Sequence, residues 1–168
     1  MAFSTCDLCD NNEDKFCDGD LHVLAPIWQH FGACASFSGA AATVKVFEDN
    51  VLIRRALESP GGARVLVVDA GGSLRCGMVG GNLARLAQDN NWSGILIDGC
   101  VRDVAEINAC AIGVRALGSH PRRSVRKGAG EFGQCVTIAG TAVFPGDWIY
   151  ADADGVLVSR TALSLPSA

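Results

Sequence analysis

The stretch Gly94-Ile-Leu-Ile-Asp-Gly-Cys-Val-Arg-Asp103 decides how the rest of the chain is read. Gly94 to Asp98 predicts a short strand, because a bounded apolar run of this length suits a strand covered on both faces. Asp98-Gly99 predicts a tight turn. The turn would deliver Arg102 and Asp103 side by side at the strand's exit. Upstream, Gly80-Gly81-Asn82-Leu83 predicts the glycine-rich start of a helix. The first N–H groups of a helix lack intrahelical acceptors and its dipole end is positive, so such a start attracts anions.

Outward from this centre, strand and helix signals alternate. Arg64 to Asp69 predicts a central strand, Ala70 to Ser73 a turn, and Leu74 to Val79 a second strand. Gly80 through about Asn91 predicts a helix with Leu83, Leu86 and Ala87 inward. Asp103 to Asn108 predicts a short helix and Ile112 to Leu117 a strand. Towards the N-terminus, the alternation around Val44 and Val46 predicts a strand, and Asp49 or Asn50 caps a helix to about Glu58. Residues 4 to 12 predict a helix capped by Ser4 or Thr5, and 13 to 19 a polar segment ending in a turn at Asp18-Gly19-Asp20. Leu21 to His30, broken by Pro26, predicts an amphipathic covering segment. Beyond the long loop from His120 to Gly133, the tail predicts short strands with turns at Ala139-Gly140, Pro145-Gly146 and Asp152 to Gly155. The expected class is α/β with layered sheets in one domain over residues 1–168.

Composition bounds the function. With 49% hydrophobic and 19% charged residues among 168, the chain can bury a substantial core. The net charge of -4 disfavours nucleic acid as a direct partner. No apolar run is long enough to cross a bilayer, and the acidic start lacks a signal-type apolar region, so a cytoplasmic location is expected. Eight cysteines are then expected as free thiols. Cys34, Cys76, Cys100, Cys110 and Cys135 read as small hydrophobes, and Cys6-x-x-Cys9 as neighbours on a first helix. The cluster Arg122, Arg123, Arg126 and Lys127 reads as a solvated loop. His22, His30 and His120 show no ligand spacing.

Asp103 alone would be an N-cap, and Arg102 alone a surface arginine. Together at a strand's carboxyl end, facing a helix start, they describe a site. A single carboxylate can hold a divalent ion such as Mg²⁺ that keeps several waters. A 2-keto acid could then chelate through its carboxylate and ketone oxygens, with the ion acting as a Lewis acid as an enolate forms. Arginine offers a planar, permanent positive fork for a carboxylate or an oxyanion. These parts suit C–C cleavage that leaves pyruvate enolate, by retro-aldol cleavage or β-decarboxylation.

At these residues the chain resembles the RraA-like family, which includes 4-hydroxy-4-methyl-2-oxoglutarate aldolases and regulators of ribonuclease E activity. The resemblance covers Phe47-Glu-Asp-Asn50, Arg64-Val-Leu-Val-Val-Asp69, Gly80-Gly-Asn-Leu-Ala-Arg-Leu-Ala87, Trp92 to Asp103, Ile112-Gly-Val-Arg-Ala116 and Gly146-Asp-Trp-Ile-Tyr-Ala-Asp152. With Ser119-His-Pro, it looks most like plant and other eukaryote-type members. It implies a β/β/α swivelling-type fold and a homotrimer with sites at subunit interfaces. It implies a lyase dependent on Mg²⁺ or Mn²⁺, with oxaloacetate decarboxylase activity. By resemblance, Asp103 holds the metal, Arg102 binds substrate, and Gly80, Gly81, Asn82 and Leu83 contact substrate through the backbone. Family aldolases carry aspartate where this chain has Gly81, which favours decarboxylation over aldol cleavage here. They also borrow an acid from a neighbouring subunit, for which Asp18, Asp20 and Glu48 are available. The alternative the resemblance raises is a protein-binding inhibitor of a ribonuclease.

Overall fold

A computed structural model describes residues 3–164. Two short helices, α1 (Thr5–Asp10) and α2 (Glu13–Asp18), lead into β1 (Leu21–Val23), β2 (Gln29–Phe31) and β3 (Phe37–Lys45). Then follow α3 (Val51–Leu57), β4 (Val65–Val79), α4 (Gly81–Asp89), β5 (Gly94–Val101), α5 (Val104–Asn108) and β6 (Gly113–Ser119). The tail adds β7 (Glu131–Phe132), β8 (Val136–Ile138), β9 (Thr141–Val143), β10 (Trp148–Ala151) and β11 (Val156–Ser159).

One mixed sheet runs β1-β11-β10-β3-β4-β5-β6-β2, with β7 on β3 and a separate β8-β9 hairpin. Strand β3 joins its two halves. Residues 37–40 pair antiparallel with β10, and residues 41–45 pair parallel with β4. Alternation along β4 then sorts the core. Leu66 and Val68 face α3, α4 and α5, packing on Leu52, Ile53, Ala84, Ala87 and Ile107. Val65 and Val67 face the other way, onto Ile138, Val143, Ile149 and Val158. The result is a helix layer, a parallel sheet layer and a second β layer, the layered α/β class expected.

Several local expectations are corrected. Residues 13–18, read only as polar, form α2, and the turn expected at Asp18-Gly19-Asp20 follows it. Glu13 and Asp14 in the first turn suit the helix dipole, and Gly19 ends the helix in a left-handed conformation at φ 78°. Leu21 to His30 contributes two edge strands, β1 on β11 and β2 on β6, rather than one segment covering the sheet. The expected turn at Ala70 to Ser73 is a bend within one long strand. Gly71 and Gly72, at φ 67° and 68°, let β4 deform while it keeps pairing with β5 through register shifts. Asp98-Gly99 makes no turn either. β5 continues to Val101, because Cys100 and Val101 still pair with Gly118 and Ser119. All eight cysteines are free, but Cys135 is exposed and Cys34 only half-buried.

Candidate functional site

The site forms where β4 and β5 end and α4 and α5 begin. Arg102 leaves β5 with its N–H on Val79 O at 2.9 Å, which ties the two strand exits together. Asp103 follows at φ 57°, ψ 47°, a left-handed conformation that costs a non-glycine residue about 1–3 kcal/mol. Its carboxylate does not cap α5 through a hydrogen bond. It turns towards Gly80 instead: a Cβ there would sit 2.7 Å from Asp103 Oδ2. Arg102 Nε lies 3.3 Å from Asp103 Oδ1, and both side chains stay about one-third exposed, at 34% and 39%. Gly77 makes room for the arginine stem, since a Cβ there would meet Arg102 Cβ at 2.7 Å. Strained backbone, an uncapped carboxylate and small neighbours therefore coincide at Asp103.

The opposite wall is the start of α4. Gly80 is extended at φ -117°, and its carbonyl accepts from Leu83 and Ala84 N–H. The N–H groups of Gly81 and Asn82 have no acceptor within the helix. Gly80, Asn82, Leu83, Arg102 and Asp103 line one cleft of about 290 Å³. Small-molecule sites span about 300–1,000 Å³, so this one suits a compact ligand. Gly81 is beside the cleft but not on its wall. A Cβ at 81 would collide with the Glu106 side chain, which packs over it from α5. The N–H of Leu83 is already used by Gly80 O, so of the four residues expected to offer backbone contacts it is the one with no free donor.

Three more arginines line the cleft: Arg54 from α3, and Arg123 and Arg126 from the loop after β6. The loop residues were expected to face only water. They are exposed, yet the loop is strapped across the cleft. Gly77 N–H donates to Arg122 O at 2.7 Å, and Val125 N–H to Glu48 O at 2.8 Å. Asp49 is the anchor. It is 1% exposed, and its Oδ2 accepts from the N–H groups of Lys127, Gly128 and Ala129, while Oδ1 takes Val51 N–H. Burial pushes Asp49 up, but the four backbone donors outweigh it and hold its carboxyl below the usual value. Asn50 also lines the cleft and donates from Nδ2 to Met78 O at 3.2 Å.

The basic cluster was visible in the sequence, but its bond to a carboxylate 78 residues earlier was not. Glu106 gave no sequence signal apart from being one turn beyond Asp103. Of the acids considered as loans between subunits, Glu48 lies beside the cleft, accepting from Ser73 Oγ at 2.6 Å and Arg75 Nε at 2.7 Å. Those two donors, the arginine's hydrogen bond foremost, hold Glu48 below the ordinary range. Asp18 ends α2 and Asp20 immediately precedes β1, which lies at the far edge of the strand order.

The donor set fits a divalent cation only as an ion that keeps most of its water. Asp103 is the carboxylate on the cleft wall, and no group of three or more metal-binding side chains occurs among the described residues. No helix among the described residues is long and apolar enough to cross a membrane.

The layered α/β fold thus carries an arginine-rich cleft at its strand exits. The chain belongs to the RraA-like family: the family description Aldolase/RraA matches residues 5–158. It is 58% identical to a Burkholderia multivorans protein provisionally named 4-hydroxy-4-methyl-2-oxoglutarate aldolase, over 98% of this chain and 100% of that one. Among solved structures, it is similar to the RNA-processing inhibitor RraA from Thermus thermophilis, with TM-score 0.90 and 39% identity over 98% of this chain and 96% of that one. It is also similar to a Geobacillus kaustophilus structure titled S-adenosylmethionine:2-dimethylmenaquinone methyltransferase, with TM-score 0.88 and 44% identity over 95% and 96%. These relatives are bacterial, whereas the long motif pointed to plant and other eukaryote-type members.

Proposed function

We propose that the chain is a divalent-cation-dependent carbon–carbon lyase. It cleaves 4-hydroxy-4-methyl-2-oxoglutarate to pyruvate and decarboxylates oxaloacetate through the enolate of pyruvate. The observation that carries this reading is the pairing of one carboxylate, Asp103, with four guanidiniums in one small cleft. The name shared by the Burkholderia relatives supports it. A fold alone does not fix chemistry, so the residues must choose among the relatives' names. A sulfonium cofactor is a cation and would face Arg54, Arg102, Arg123 and Arg126, which argues against methyl transfer.

Asp103 would hold Mg²⁺ or Mn²⁺, which when bound supplies Lewis-acid polarisation of the 2-oxo group. Arg102 places its guanidinium where the ketone oxygen gains negative charge. The free N–H groups of Gly81 and Asn82 favour the adjacent carboxylate. Arg123 and Arg126, with Arg54, take the second carboxylate at the far end. In decarboxylation the bond to the leaving carboxylate breaks, CO₂ departs, and a proton returns to the carbon that received the electron pair. Aldol cleavage also needs the 4-hydroxyl proton removed. Glu106, packed on Gly81, brings a carboxylate to the helix tip from the neighbouring helix, and we assign that proton to it.

The test is pyruvate release from both substrates, with and without chelator. Asp103→Asn should lower both activities by about 10³-fold or more without lowering Tm, given the several kcal/mol such charge stabilisation supplies. Glu106→Gln should lower aldol cleavage by about 10²-fold and decarboxylation far less, as expected when one proton-transfer group is lost. Full turnover in Asp103→Asn would remove the metal-binding assignment.

A second reading rests on the likeness to the Thermus inhibitor. The chain would then bind a ribonuclease through its surface, and RNA cleavage would slow even with EDTA present. No slowing at micromolar protein would eliminate that reading. A homotrimer and a cytoplasmic location remain part of the proposal.

A further inference from the structure

A second cavity lies at one edge of the sheet, where β2 pairs with β6. It measures about 210 Å³, is lined by Trp28, His30, Arg115 and Asp154 among others, and shares no lining residue with the lyase cleft. Arg115 is 1% exposed and directly opposite His30 in the strand register. Its Nη1 donates to Val114 O, and its Nη2 to Ala35 O and Asp152 O. All three acceptors are neutral carbonyls. No carboxylate among the described residues forms an ion pair with it. The Asp152 carboxylate is committed to Thr5, Asp154 N–H and Gly155 N–H.

A buried cation without a counter-charge is costly, and buried polar groups are almost always hydrogen-bonded. The Phe37 ring, 5.4 Å from Arg115 Cζ, relieves only part of that cost. Arg115 Nε has no partner at all. The only other orphaned buried side-chain nitrogen or oxygen among the described residues is Trp28 Nε1, and it belongs to the same cavity. The two unsatisfied N–H donors and the unneutralised guanidinium thus belong to residues that line one small hollow.

We propose that this cavity binds a small monocarboxylate, one oxygen accepting from Arg115 Nε and the other from Trp28 Nε1. The size of the hollow limits the ligand to a formate- or acetate-like group. Charge limits it to a monoanion, because Asp154 at the rim and Asp152 behind it oppose a dianion. A carboxylate gives each donor its own oxygen, whereas a halide would have to accept from both at one centre, so the carboxylate is the better match.

The test titrates the full chain with acetate, and separately with chloride, at constant ionic strength, reading Tm and tryptophan fluorescence. Acetate should act saturably and raise Tm, and chloride should not. Trp28→Phe keeps the ring and removes one donor, so it should weaken acetate binding about tenfold, the worth of a charge-assisted hydrogen bond. Asp154→Asn should tighten it. Pyruvate release should be unchanged in both variants, since neither residue lines the lyase cleft. Acetate and chloride acting alike, no saturable effect in the unmodified chain, or full acetate affinity in Trp28→Phe would each overturn the proposal. So would a crystal grown in acetate with only a water bridging the two donors.

Discussion

Arginine plays opposite parts at the exits of β4 and β5 and at the β2 edge of the sheet. In the cleft, four arginines stand at the mouth with one carboxylate, in reach of water, and none is fully buried. At the β2–β6 edge, one arginine is sealed in with carbonyls only. The exposed group loses little by remaining unpaired, because water screens it until a ligand arrives. The buried one forgoes that solvation throughout the life of the fold. Changes in the cleft should therefore alter turnover and leave stability alone, while a group that is both buried and tied to the cleft should move both.

Three experiments can break or sharpen that division. Arg102→Lys should have the largest effect. Lysine keeps the charge but loses the planar fork, so kcat for pyruvate release should fall about 10²-fold, in line with the loss of one oxyanion donor. Its Tm should match the unmodified chain; a large drop would show that Arg102 is structural. Asp49→Asn tests the boundary case. Four backbone N–H groups lose a charged acceptor, and stability should fall by about 2–3 kcal/mol, or roughly 5–10 °C in Tm. The pH dependence has a defined sign. The folded value lies below the ordinary 3.8, so the contribution is complete above 3.8 and disappears as pH falls through the folded value. Melting followed from pH 5 downwards should show acid loss in the unmodified chain and a flatter profile in Asp49→Asn. Arg126→Ala should be smallest: KM for a dicarboxylate should rise about tenfold, worth about 1.4 kcal/mol, with kcat little changed. An equal rise for a 2-keto monocarboxylate would place Arg126 away from the distal end.

Much of this was legible in the chain itself. The strand starting at Gly94 and the glycine start of α4 follow local rules, so both elements and their meeting could be anticipated, although the strand runs on to Val101 instead of turning at Asp98-Gly99. Layering could also be anticipated, because β-rich segments flank an alternating centre. Glycine was read too simply. Gly71 and Gly72 permit a turn but also permit a bend, and the choice was made by the pairing of β4 with β5, which is not local. The role of the basic loop was hidden for the same reason: Asp49 fastens it from far away in sequence. The orphaned donors of Arg115 and Trp28 are a property of packing alone, and no sequence rule marks them.

The crowding between Gly81 and Glu106 constrains how this site can change over evolutionary time. An acidic group can reach the tip of α4 from residue 81 or from residue 106, but the same space cannot hold both. A lineage moving from one arrangement to the other must vacate the first position before filling the second. On the role proposed for Glu106, moving the acid between the two positions couples both substitutions, and the cost of the intermediate falls on aldol cleavage rather than on decarboxylation.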